Sequence, residues 1–169
     1  AGDRSVGKKW NELFPFIYIN SNPIIENTNI DKIDQLADYV LLCLPNGIAS
    51  QIVPKLVDKE LKVLDLSADY RYRSLDKWKQ IYSSESEKYN RYDHEICNNF
   101  TYGLPEWGRE EIRKSKLVSC PGCFPTSALL AILPFLKQGL IDKEGIIIDS
   151  KTGTSGGGRI PKEQLLLSE

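Results

Sequence analysis

The sequence contains no methionine, a single histidine (His94) and four cysteines in 169 residues. One histidine and no second C-x-x-C pair leave no ligand set with the usual spacing of a zinc site. Four cysteines do not make a disulfide scaffold in a chain this long, and Cys43 and Cys97 sit in unrelated apolar or helical contexts. A reducing cytoplasm is the expected compartment. No apolar run approaches the roughly 20 residues of a membrane-spanning helix. The opening AGDRSVGKKW has neither a secretory apolar core nor an Arg/Ser-rich amphipathic presequence. An excess of one charge sign is also lacking: 22 basic against 23 acidic residues give a net charge of -1. That balance leaves no electrostatic footprint for nucleic acid or an anionic membrane, so a small molecule is the expected partner. Because even an initiator methionine is missing, further sequence is expected before Ala1.

What is present is a globular composition, 41% hydrophobic and 27% charged, long enough for one core or for parts of two. The pattern alternates between helix and strand. Asp31 to Ala37 reads as a short helix, and the continuous apolar run Tyr39 to Leu44 as a strand covered on both faces. Pro45-Asn46-Gly47 turns into a helix running to about Asp58, with Ile48, Ile52 and Leu56 on one face. Leu61 to Leu66 is the next strand. Strand, crossover helix and strand imply a parallel, doubly wound α/β sheet, with ligands at the carboxyl ends of the strands, at Pro45-Asn46-Gly47 and Ser67-Ala68-Asp69. The polar stretch from Tyr70 to about Asn99 suggests short surface helices and loops. Glu106 to Ser115 resumes a helix, Lys116 to Ser119 is a short strand, and Phe124 to Gln138 is an apolar helix with Gly139 as its C-cap. Ile146 to Ile148 begins another strand, followed by the Gly-rich run Thr152 to Arg159.

The chemistry concentrates in VSCPGCFPTSALLAILP, Val118 to Pro134. Cys123 falls at a strand-to-helix junction, where unpaired N–H groups and the helix dipole favour an anion. A thiolate is such an anion, and the same N–H groups can hold a developing oxyanion. The pieces suit acyl transfer through a thioester. Cys120-Pro121-Gly122-Cys123 is also formally a C-x-x-C pair, as in thiol-disulfide oxidoreductases, but there the first cysteine attacks from the helix N-terminus. Here the helix is expected to begin at or after the second. A nucleotide-binding module that uses neither thiol is the third reading.

The run PGCFPTSALLAILP resembles the active-site signature of the N-acetyl-gamma-glutamyl-phosphate reductase family, which shares its fold plan with aspartate-semialdehyde dehydrogenases. DRSVGKKWNELFP, DYVLLCLPNG, VLDLSADYR, YGLPEWGREEI and IIIDSKTGTSGGGR agree with it in order and spacing. The resemblance implies an incomplete Rossmann-type NADP-binding domain over residues 1–120, then the start of an α+β catalytic and dimerisation domain over residues 121–169. It implies that Cys123 attacks the acyl phosphate of N-acetyl-glutamyl 5-phosphate, with NADPH as reductant, in arginine biosynthesis. Aminoadipyl and aspartyl phosphates are the alternative substrates. A homo-oligomeric parent is implied, with no metal.

Carried over residue by residue, Arg4 and Ser5 match the position that contacts the 2′-phosphate of NADP. Pro45, Asn46 and Gly47 match a cofactor-binding turn. Ser67 and Arg71 match positions for substrate or phosphate. Ser155, Gly156 and Arg159 match a loop that approaches the nicotinamide or the substrate. Without the resemblance the same residues also suit a solvated basic turn, a plain strand-to-helix turn and an Arg–Asp salt bridge. Two positions depart from the family, which usually has Asn where Cys120 stands and commonly Asn where Gly108 stands. The resemblance also implies a glycine-rich phosphate loop before Ala1 and a general-base histidine beyond Glu169, so the chain by itself is expected to be inactive.

Overall fold

A computed structural model of the chain describes residues 5–86, 91–92 and 95–157. It divides into two compact units, Ala1–Cys120 and Pro121–Glu169. In the first, the short helix α1 (Trp10–Leu13) is followed by strand β1 (Tyr39–Leu42), helix α2 (Ala49–Asp58) and strand β2 (Lys62–Asp65). Helix α3 (Leu75–Ser86), the two-residue strand β3 (Thr101–Tyr102), helix α4 (Pro105–Lys114) and strand β4 (Leu117–Ser119) complete it. The four strands form one sheet in the order β1-β2-β4-β3, and every neighbouring pair is parallel. This is the α/β architecture expected from the alternation of elements.

The core lies on one face of that sheet. Val40, Leu42, Val63 and Leu117 from the strands meet Ala49, Val53 and Leu56 of α2, all of them buried. Burying a side chain the size of Val53 or Leu56 contributes about 1.5–3 kcal/mol. The alternation in β1 differs from the expectation of two covered faces: Tyr39 and Leu41 are 55% and 63% exposed, while Val40 and Leu42 are buried. The pleat sends successive side chains to opposite faces, and the α2 core covers only the face of Val40 and Leu42.

Three further elements differ from the sequence reading. The segment expected as a short helix at Asp31 to Ala37 is a 3-10 helix, Ile30–Gln35, opened by the Asn29 side chain, which accepts from the Asp31 N–H. The polar stretch after Tyr70 holds the 12-residue α3, which is anchored rather than superficial. Its Trp78 is fully buried and donates through Nε1 to the Ala68 carbonyl at 3.1 Å. Ile146 to Ile148 forms no strand, and Ile147 is 93% exposed. A strand needs a partner to satisfy its backbone, and no described strand pairs with this run.

The second unit opens with α5 (Cys123–Lys137) and contains a 3-10 turn at Thr154–Gly157. Gly139 terminates α5 as expected: its φ of 67° is the left-handed conformation that glycine adopts without strain, and the N–H of Leu140 returns to the Phe135 carbonyl.

Gly103 packs tightly against β4. Its N–H donates to the Ser119 carbonyl at 2.8 Å, and a Cβ there would lie 2.8 Å from Val118 Cγ1 and 3.2 Å from that same carbonyl oxygen. Gly103→Ala should therefore destabilise the protein by about 1–3 kcal/mol through overpacking. Urea denaturation measures this, and an unchanged midpoint would contradict the close packing of β3 on β4.

Candidate active site

Two loops leave the carboxyl ends of adjacent parallel strands, and a buried network ties them together. After β1, Pro45 is exposed, Asn46 half-buried and Gly47 buried. Gly47 has a φ of 84°, so the turn requires a residue without a Cβ penalty. After β2, every residue of Ser67-Ala68-Asp69-Tyr70-Arg71 has a structural partner. Ser67 donates to both oxygens of Asp65, through its N–H to Oδ1 at 2.9 Å and its hydroxyl to Oδ2 at 2.8 Å. The Ala68 N–H donates to Asn46 Oδ1 at 3.3 Å. Asp69, fully buried, accepts the Gly47 N–H at 2.6 Å and the Ser50 N–H at 2.9 Å. Tyr70 stacks on Phe100 with ring centroids 4.0 Å apart.

Arg71 reaches from the β2 loop to the end of β4. Its Nε donates to the Cys120 carbonyl at 2.9 Å, one terminal nitrogen to the Leu66 carbonyl at 2.9 Å and the other to the Tyr82 hydroxyl at 3.3 Å. Those three bonds leave two of the five guanidinium N–H groups for a ligand. The salt bridge with the neighbouring aspartate is not made, because the Asp69 carboxylate faces Gly47 and Ser50 instead.

In the second unit, Cys123 is the first residue of α5 and is exposed. Gly122 precedes it in extended conformation without a side-chain cap, and the first turn carries no acidic residue. The N–H groups of Cys123 and Phe124 donate to no acceptor among the described residues, and Pro125 has no N–H to offer. Thr126 closes the turn through its N–H and its hydroxyl, both donated to the Gly122 carbonyl. Cys120 is different. It is half-buried, and burial together with the charge of Asp65 pushes its thiol above the ordinary range, with Arg71 opposing.

Ser5 is half-buried in a turn, and Gly156 lies in the 3-10 turn, donating its N–H to Gly153. Ser155 shares that turn. Arg4, His94 and Arg159 lie outside the described residues. Asp65 was not singled out in the sequence, and Asp69 only as part of the Ser67-Ala68-Asp69 ligand end; the available signal for Asp65 was an acidic residue closing an apolar strand, where an unpaired carboxylate is costly to bury.

Residues 1–115 match the family model of the semialdehyde dehydrogenase NAD-binding domain, and residues 123–169 match that of the semialdehyde dehydrogenase dimerisation domain. The chain belongs to the semialdehyde dehydrogenase family. The N-acetyl-gamma-glutamyl-phosphate reductase of Prochlorococcus marinus strain AS9601 is 56% identical over all 169 residues, which amount to 48% of that protein. Its counterpart in strain NATL1A is 58% identical over 168 residues, 99% of this chain and 47% of its own. The chain thus spans about half the length of the curated relatives it matches. The crystal structure of aspartate semialdehyde dehydrogenase II from Vibrio cholerae, complexed with ASA, covers 80% of this chain and 35% of its own, with a TM-score of 0.52. At 16% identity that likeness is one of fold. The family resemblance read from the motifs is borne out.

Within this semialdehyde dehydrogenase unit both buried aspartates are electrostatically costly. Burial pushes the Asp65 carboxyl up to about 6; the two Ser67 hydrogen bonds oppose the rise, the charge of Asp69 adds to it and Arg71 offsets part of it. Asp69 is also raised by burial, against the N–H groups of Gly47 and Ser50 and the charge of Arg91. A native Asp65 that titrates near 6 rather than at its ordinary 3.8 holds a proton that the unfolded chain has already released. Stability from this group is therefore fully present below about pH 4 and is lost as the pH rises through about 6. Between pH 5 and pH 7 the loss from Asp65 should amount to roughly 1 kcal/mol, and Asp65→Asn should lack it. Urea denaturation of the two forms at both pH values measures the difference; equal losses contradict the assignment.

Proposed function

We propose that the chain is the cofactor-binding and nucleophile-bearing part of an NADPH-dependent reductase. Its reaction converts N-acetyl-glutamyl 5-phosphate to N-acetyl-glutamate 5-semialdehyde and phosphate, a step of arginine biosynthesis. The observation that carries this reading is Cys123 itself: an exposed thiol as the first residue of a 15-residue helix, with two free N–H donors and no acidic residue in the first turn. The names of the curated relatives at 56% and 58% identity favour the glutamyl substrate over its aminoadipyl and aspartyl analogues.

The chemistry follows from that placement. The Cys123 thiolate attacks the acyl carbon, the C–S bond forms, and the bond from carbon to the phosphate oxygen breaks with release of phosphate. Free N–H groups of the first turn of α5 stabilise the oxyanion that develops at each addition. Bound NADPH supplies a hydride to the thioester carbonyl. Collapse of the resulting thiohemiacetal breaks the C–S bond, restoring the Cys123 thiolate and releasing the semialdehyde. A thioester is the better hydride acceptor because a carboxylate resists addition. Arg71, with two unengaged N–H groups, Ser67 and Arg159 are assigned to the phosphate or the substrate.

The nicotinamide cofactor fits the turn after β1. Asn46 spends its Oδ1 on the Ala68 N–H, while its Nδ2 group meets no acceptor among the described residues and suits a ribose or amide oxygen. Arg4 and Ser5 are assigned to the 2′-phosphate that distinguishes NADP from NAD. Ser155 and Gly156 are assigned to the nicotinamide side. The match of residues 123–169 to a dimerisation domain supports a homo-oligomeric parent. No described helix is long and apolar enough to cross a membrane, and the reaction is assigned to the cytoplasm.

The disulfide-exchange reading requires Cys120 to attack first, and a thiol pushed upward by burial and by Asp65 is poorly suited to that. A pair of substitutions in the complete protein separates the two chemistries. Cys123→Ser should abolish nearly all phosphate-dependent oxidation of the semialdehyde, because an alkoxide is a poorer leaving group than a thiolate. Cys120→Ser should retain activity within about tenfold, roughly 1.4 kcal/mol in barrier height. Equal damage from both, with insulin-reductase activity in the wild type, would overturn the proposal.

A further inference from the structure

We propose that Tyr82 is a positioning residue for Arg71, holding its guanidinium ready to bind an oxyanion of the substrate, either a phosphate or a carboxylate group. The inference rests on the assignment of Arg71 above and adds to it the residue that orients the charge. Arg71 is fixed at three points: Nε on the Cys120 carbonyl, Nη2 on the Leu66 carbonyl and Nη1 on the Tyr82 hydroxyl at 3.3 Å. All three acceptors are neutral. They orient the guanidinium without cancelling its charge, whereas a carboxylate in any of these places would do both.

No described carboxylate supplies the counter-charge. Among the described residues Arg71 makes no salt bridge. Asp65 lies within range of its charge but accepts from Ser67 with both oxygens, and Asp69 accepts from Gly47 and Ser50. Tyr102, paired with Ser119 in the β3–β4 register, is another phenol near this cation: burial pushes its hydroxyl up, Arg71 opposes the rise, and Tyr72 and Tyr82 add to it. Arg71 is thus a half-buried cation among phenols, with one unspent N–H on each terminal nitrogen. That combination suits an oxyanion.

The two carbonyls that hold Arg71 belong to the ends of β2 and β4. The third acceptor comes from α3, and α3 is itself anchored. Trp78, one turn before Tyr82, is fully buried and bonds the Ala68 carbonyl. The Tyr82 ring lies against Trp78 with centroids 5.8 Å apart and meets Tyr72 edge-on at 6.5 Å. Burial of one tryptophan in a polar stretch therefore brings a phenol to a guanidinium eleven residues away. An arginine held in place before its ligand arrives has less freedom left to lose on binding.

Steady-state kinetics of the complete protein test this in the phosphate-dependent oxidation of N-acetyl-glutamate 5-semialdehyde with NADP. Tyr82→Phe keeps the ring and its packing and removes only the hydroxyl. It should raise KM about fivefold for inorganic phosphate, or for the semialdehyde if the bound oxyanion is its carboxylate, with kcat and the KM for NADP within about twofold. Arg71→Lys keeps the charge, loses the fork and should raise the same KM about tenfold or more. In the Arg71→Lys background Tyr82→Phe should add less than about twofold, because the two side chains act through one interaction. A fivefold effect that persists in that background, a fall in kcat with the KM for phosphate and for semialdehyde both unchanged, or an equal rise in the KM for NADP overturns the positioning role. Wild-type protein that does not oxidise the semialdehyde overturns instead the substrate reading on which it rests.

Discussion

One buried carboxylate organises the carboxyl end of the sheet. Asp69 accepts two backbone N–H groups of the neighbouring loop, and through them it sets both the left-handed glycine at 47 and the first turn of α2. The rest of the segment reinforces the tie. Ser67 satisfies Asp65 from the loop after β2, the Ala68 carbonyl holds Trp78, Tyr70 stacks on Phe100, and Arg71 fastens β2 to the end of β4. Five consecutive residues thus connect three strand ends and α3.

The arrangement carries a thermodynamic cost. Both aspartates are fully buried and both are raised by desolvation, so burial opposes the charge that their N–H and O–H bonds favour. A hydrophobic pair of similar volume would remove that penalty, and would leave the Gly47 and Ser50 N–H groups without acceptors. Each such orphan costs about 1–3 kcal/mol. What the carboxylates provide is direction: charge-assisted bonds hold a loop in one geometry where apolar packing would let it drift. The second carboxylate acts on the adjacent strand, where the charge of Asp65 adds to burial in pushing the Cys120 thiol upward. In this account two cysteines three residues apart differ in role because one is half-buried and feels the charge of Asp65 and the other opens a helix.

Much of this was legible in the sequence because it depends on periodicity and punctuation. The apolar runs at Tyr39 and Leu61 are strands, and the helix expected after Gly47 is α2, although it buries Ala49, Val53 and Leu56 where the pattern pointed to Ile48, Ile52 and Leu56. Cys123 was placed at a strand-to-helix junction with the helix expected from Phe124, and the structure begins α5 one residue earlier, at Cys123 itself. The failures have non-local causes. Trp78 is buried because the Ala68 carbonyl ten residues earlier offers an acceptor, which no composition of the polar stretch around α3 reveals. The strand β3 is two residues long, too short for any alternation to register. Ile146 to Ile148 has the composition of a strand and no described strand pairs with it, since pairing is a property of the fold and not of the segment. Asp69 reads as an ordinary loop aspartate until its partners at positions 47 and 50 are brought beside it.

The central claim is that Cys123 carries the acyl group between the loss of phosphate and the arrival of hydride, and direct observation of that adduct tests it. The complete protein, mixed with N-acetyl-glutamate 5-semialdehyde and NADP in the absence of phosphate and quenched in acid, would be digested and examined by peptide mass spectrometry. The account predicts an N-acetyl-glutamyl thioester on the peptide containing Cys123, removable by hydroxylamine and absent without NADP. An unmodified Cys123 in that phosphate-free mixture, or an adduct on Cys120 or Cys43 in its place, would contradict it.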